Sequence, residues 1–151
     1  MPIQIANKIK AYKKEISNFV SFINSNNDIP DKIFLNTFNT PFVFDSNNKP
    51  SFGLFYKDEN ENLRIAVAIK IKDLEKFKYK DITFSRQDCL YIILETIAHE
   101  FLHYIQYKNN KKFYEKGLDN KALNMIKKYI ETNKSIISLK YINSSFMEIN
   151  L

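Results

Sequence analysis

The sequence predicts an α+β fold: an N-terminal helix, a small sheet of three or four mostly antiparallel strands, and two C-terminal helices. Three observations support it. Apolar residues recur at helical spacing near the N-terminus, alternate along short segments in the middle, and recur at helical spacing after residue 85. A chain of 151 residues can bury one core, and no linker interrupts it, so we expect a single domain over 1–151.

Composition restricts the class of protein. Hydrophobic residues at 44% and charged residues at 26% are typical of a globular chain. The single cysteine, Cys89, excludes an intramolecular disulfide framework, and no apolar run approaches the ~18 residues of a membrane span. We therefore expect a cytoplasmic protein without a membrane segment. The net charge of +6 is compatible with nucleic acid, but the lysines are scattered, so this partner is not favoured.

The first two-thirds of the chain supplies the N-terminal helix and the sheet. Apolar residues at helical spacing predict an amphipathic helix over 3–24. Short apolar runs bounded by Asn, Pro and Asp predict strands at Ile33–Leu35 and Phe42–Phe44. Ser51–Tyr56 and the strictly alternating Leu63–Ile71 predict a hairpin.

Two helices are predicted in the last third. Ser85 followed by Asp88 resembles a capping box, and the apolar run behind it predicts a helix over about 86–107. A second helix is predicted over roughly 112–132. The apolar residues of the tail, Ser135–Leu151, suggest that it docks on the domain.

The first of these helices carries the sequence His99-Glu100-Phe101-Leu102-His103, an HExxH motif that contains both histidines of the chain. Residues four apart share one helical face, so both imidazoles can reach one ion. Glu100 lies about 100° further round and can act as a general base on a water held by that ion. The motif therefore predicts a zinc site with metallopeptidase chemistry.

A catalytic zinc usually has three protein ligands, and no further histidine is available. Downstream carboxylates are Glu115, Asp119 and Glu131. A tight connection between two antiparallel helices would return Glu115 towards His103. Asp119, one turn further, could instead orient a ligand histidine through its outer nitrogen.

The HExxH motif and the pattern Glu-x-x-x-Asp-x-x-Ala at 115–122 are similar to the glutamate-zincins, or gluzincins. The chain resembles minimal single-domain gluzincins: the catalytic domains of membrane-embedded zinc peptidases and the immunity-repressor proteases of mobile elements. The resemblance covers about residues 63–131 and implies a zincin-like fold. It implies that His99, His103 and Glu115 bind Zn²⁺, that Glu100 is the base, and that Asp119 supports a ligand.

The expected function is zinc-dependent hydrolysis of peptide bonds, with a water on the ion activated by Glu100. The expected partner is a peptide or protein substrate in an extended strand. We expect it to pair with an edge strand at Arg64–Lys70. The alternative is a catalytically latent metal-binding regulator or partner-binding module of the same fold, in which the tail covers the cleft.

Overall fold

The protein is described here by a computed structural model, which covers residues 1–7, 10–71, 85–110, 112 and 114–133. It is an α+β structure with three helices and a small mixed sheet over these ranges. The tail predicted to dock, Ser135–Leu151, lies outside them. The elements in chain order are β1 Ile3–Ile5, α1 Lys13–Asn26, β2 Ile33–Phe38, β3 Val43–Phe44, β4 Pro50–Ser51, β5 Gly53–Lys57, β6 Leu63–Ala68, α2 Arg86–Lys108 and α3 Leu118–Thr132.

The main sheet has four strands in the order β1-β2-β6-β5. The β1–β2 and β2–β6 pairs are parallel and only β5–β6 is antiparallel, so the prediction of a mostly antiparallel sheet is wrong. The reason lies in the connections: α1 is the crossover between β1 and β2, and a helical crossover joins parallel strands. The short strands β3 and β4 form a separate antiparallel pair.

The N-terminal segment is a strand followed by a helix, which corrects the single helix predicted over 3–24. Ile3 and Ile5 fit an alternating pattern as well as a helical one, and pairing with β2 decides between them. Asn24 of α1 reinforces the strand, because its side-chain amide accepts from the Ile3 N–H at 3.0 Å and donates to the Ile3 carbonyl at 3.1 Å. At Ile3, the outward-facing backbone N–H and carbonyl of β1 are therefore already hydrogen-bonded.

The predicted hairpin is confirmed, with Gly53 of β5 opposite Val67 of β6 and Lys57 opposite Leu63. However, β6 lies between β2 and β5, so it is an interior strand. The expectation that Arg64–Lys70 forms an edge open to a substrate is therefore wrong. Among the described residues, the edge on this side of the sheet is β5.

The long central helix α2 follows its prediction closely, beginning at Arg86 and ending at Lys108. The Ser85–Asp88 capping box is present, with both reciprocal hydrogen bonds formed. α2 packs against β5 and β6 and also against α3, so it is buried around most of its circumference. No helix in the described part of the chain is long and apolar enough to cross a membrane.

The last described helix, α3, begins at Leu118 rather than near Lys112. Gly117 precedes it with φ 81°, a left-handed conformation that cannot belong to a right-handed helix. Glu115 therefore lies in the connection before α3, where its position is set by the loop. Asp119 lies in the first turn of α3.

Candidate metal centre

Two imidazoles project from one face of α2. His99 and His103 are one turn apart, with ring centroids separated by 4.9 Å. The His103 side chain is 8% exposed and the His99 side chain 17%, so both rings lie largely inside the protein. Ring atoms of this pair and a carboxylate oxygen of Glu100 lie within 4.8 Å of one another.

The carboxylate of Glu115 faces both rings from the α2–α3 connection. Its Oε2 lies 2.8 Å from His99 Nε2 and its Oε1 lies 3.1 Å from His103 Nε2. Glu115 itself is 74% exposed, so its position owes little to packing and much to the two histidines. The two Nε2 atoms thus each face one oxygen of the same carboxylate.

The opposite ring nitrogens have partners of their own. Asp119 Oδ1 lies 3.2 Å from His99 Nδ1, and Gln106 Oε1 lies 2.9 Å from His103 Nδ1. A neutral imidazole has one N–H, and an acceptor at Nδ1 favours the tautomer that carries it there. The Nε2 lone pairs then point towards the Glu115 oxygens.

This arrangement fits a metal ion. A neutral imidazole that donates from Nδ1 has no second proton for an acceptor at Nε2. A divalent cation among His99, His103 and Glu115 would satisfy all these atoms, and two imidazoles with one carboxylate are a common ligand set of catalytic zinc. Outer partners such as Asp119 and Gln106 typically fix ligand histidines in this way.

Glu100 lies beside the histidine pair, on the side of α2 that faces β5. It is 7% exposed, and its carboxylate accepts a hydrogen bond from the Phe55 backbone N–H. Burial raises the pKa of Glu100 to about 8, and the charges of Glu115 and Glu95 act in the same direction. The Phe55 hydrogen bond opposes this shift. A carboxyl group with a pKa near neutral can both accept and return a proton.

Two polar residues of this region were missed by sequence reasoning. Glu95 is 4% exposed and can bring a carboxylate oxygen within 4.8 Å of ligand atoms of His99 and Asp119. Gln106 is also 4% exposed and connects His103 to the Tyr114 carbonyl, which its side-chain amide meets at 3.2 Å. Their spacing could have identified them in the sequence. Each is a polar residue one helical turn before or after the HExxH motif, on an otherwise apolar helix.

The structure thus brings together His99, Glu100, His103 and Glu115, with Asp119 beside His99. Asp119 contacts Nδ1 while Glu115 faces Nε2, so Glu115 is the better placed third ligand. Glu131 is exposed near the other end of α3, ~18 Å from Asp119 along the helix axis. That this group binds a metal stays a prediction.

Comparison with known proteins gives no match: no protein-family profile, no curated protein and no solved structure is significantly similar to this chain.

Proposed function

We propose that this chain is a zinc-dependent metallopeptidase that cleaves peptide bonds through Glu100. The observation that carries this proposal is the convergence of His99 Nε2, His103 Nε2 and the Glu115 carboxylate, with the buried Glu100 beside them. Two histidines exposed on a helix surface would not need a fixed partner at each Nδ1 atom. Here Asp119 and Gln106 provide those partners.

The chemistry divides between the ion and the chain. Bound zinc would supply Lewis acidity, which lowers the pKa of a coordinated water towards ~7 and polarises a substrate carbonyl. His99, His103 and Glu115 would hold the ion. Glu100 would accept the proton of the attacking water and return it to the leaving amine, a role that its raised pKa of about 8 supports.

The substrate is expected to lie along β5. This edge strand borders Glu100, whereas the opposite edge of the sheet is sealed at Ile3 by Asn24. Because the Phe55 N–H donates to Glu100, an extended peptide added to β5 would gain main-chain hydrogen bonds, independent of its sequence, only from the other outward-facing backbone groups of this edge. Side-chain pockets around the site would then set the cleavage preference.

The test is cleavage of fluorescein-labelled casein and of a mixed library of quenched peptides by zinc-loaded protein. We expect the wild type to cleave and Glu100→Gln to lose at least ~100-fold in rate while it keeps its zinc, because the base is removed and the ligands remain. Glu131→Gln is the matched control and should cleave like the wild type. Zinc binding without any cleavage would contradict the peptidase and support the latent regulator.

A further inference from the structure

The strand next to Glu100 contains a glycine at a position where an added side chain would overlap its neighbours. Gly53 of β5 is buried against α2, and a Cβ built on it overlaps the Thr96 Cγ2 methyl. It would also lie 3.0 Å from the Ala66 carbonyl oxygen and 3.2 Å from Glu100 Cγ. The hydroxyl of Thr96 donates to the Ile92 carbonyl at 2.7 Å, which holds this methyl in place. The absence of a side chain at Gly53 therefore permits the close approach of β5 to α2.

Two residues further along β5, Phe55 makes the contact with Glu100. The Phe52 carbonyl accepts from Ala68 N–H at 2.8 Å, so in an antiparallel pair the Phe55 amide faces away from β6. Because β5 is the edge strand, this amide can donate to the Glu100 carboxylate instead.

The ring of Phe55 also packs β5 against α2, through two tyrosines of that helix. It lies edge-on to Tyr104, with 6.0 Å between ring centroids, and is tilted against Tyr107 at 5.7 Å. These aromatic contacts and the close approach at Gly53 flank the amide that reaches Glu100. The position of that amide is therefore fixed on both sides.

We propose that Gly53 is a positioning residue: it seats β5 on α2 so that the Phe55 amide holds the carboxylate of Glu100 towards the ligand histidines. This inference rests on the proposed function, in which Glu100 is the general base. A glutamate side chain has several rotamers, and a hydrogen bond from a fixed backbone donor selects one of them. A misplacement of about 1 Å can cost ~100-fold in rate.

The variants that test this proposal are Gly53→Ala, Thr96→Ser and the two combined. Thr96→Ser keeps the hydroxyl that bonds Ile92 and removes the methyl that the new Cβ would overlap. Alone it should resemble the wild type. Combined with Gly53→Ala it should relieve the main overlap, although the contacts with Ala66 and Glu100 remain tight.

The first readout is the Phe55 amide in zinc-free protein, followed by NMR and hydrogen exchange. We expect this amide to be protected in the wild type and to lose protection in Glu100→Ala, because its acceptor is removed. Gly53→Ala should also lose protection, and the combined variant should regain part of it. This readout depends neither on zinc nor on catalysis.

The second readout is steady-state cleavage of the best quenched peptide from the library. In Gly53→Ala we expect kcat to fall on the order of 10- to 100-fold with zinc content and KM unchanged, and the combined variant to recover part of the loss. If Gly53→Ala does not fold, the combined variant is compared with Thr96→Ser instead. We then expect the combined variant to show the lower protection of the Phe55 amide and the lower kcat of the two.

Two results would overturn the inference. One is a Gly53→Ala protein with wild-type kcat and a protected Phe55 amide. The other is a Gly53→Ala protein whose KM rises or whose zinc content falls while kcat is unchanged. That result would indicate a structural role only. A wild type that cleaves no peptide would contradict the proposed function instead, and the amide readout would still decide whether Gly53 positions Glu100.

Discussion

At the scale of single residues, the site is built from the helix α2, the loop before α3, the first turn of α3 and the strand β5. The HExxH motif identifies His99, Glu100 and His103 because helical spacing alone brings them together. Glu115 is a weaker prediction, since a loop determines its position. Glu95 was missed because a lone glutamate on a helix is usually exposed, whereas in the structure it is 4% exposed.

Asp119 should strengthen zinc binding without touching the ion. Its carboxylate lies 3.2 Å from His99 Nδ1, where it holds the ring in the orientation that presents Nε2 to the ion. We expect Asp119→Ala to weaken zinc affinity by ~10- to 100-fold in a competition titration with a chelating dye. Glu131→Ala removes another exposed acid of α3 and serves as the control. Equal affinities of the two variants would contradict this role.

Glu95 should make the zinc-free protein less stable as the pH rises. Burial, with the charges of Asp119 and Glu115, raises the pKa of Glu95 to about 8 from its ordinary value of 4.5. The folded state therefore keeps a proton that the unfolded chain releases, so stability falls between pH 4.5 and 8.

The variant Glu95→Gln removes this ionisation. In urea unfolding with a chelator present, we expect it to match the wild type near pH 4 and to be more stable at pH 8. The gain should be on the order of a few kcal/mol. A difference between the two proteins that does not change with pH would refute this explanation.

At the scale of elements, local signals predicted the helix α2 to within a residue, because its capping box and apolar run are both local features. Strand pairing is not local. Ile3 and Ile5 fit two periodicities, and nothing in Leu63–Ile71 indicates that β6 lies between two neighbours. The parallel pairing and the edge position of β5 therefore could not be obtained from the sequence pattern.

The start of α3 depends on Gly117. Its φ of 81° is a conformation that costs a residue with a Cβ about 1 kcal/mol, although no atom of the described residues, other than those of its two chain neighbours, lies within 4 Å of where that Cβ would be. We expect Gly117→Ala to lower the free energy of unfolding by about 1 kcal/mol and Gly117→Asn by less, since Asn tolerates this conformation. Urea denaturation of both variants measures this. Equal stabilities of wild type and Gly117→Ala would contradict it.

At the scale of the whole molecule, a cluster of acids is held beside two histidines at the junction of α2, α3 and β5. Glu95, Glu100, Glu115 and Asp119 lie together in a chain whose net charge is positive. Buried or crowded carboxylates repel one another, and a divalent cation relieves that repulsion. Zinc should therefore stabilise the folded state as well as supply chemistry.

The central claim is that His99, His103 and Glu115 bind one zinc ion, and elemental analysis of purified protein tests it most directly. We predict about one zinc per chain in the wild type and in Glu131→Ala, none in His103→Ala, and a sharply reduced content in Glu115→Ala. A wild type that contains no zinc, even after incubation with it and removal of the excess, would contradict the account.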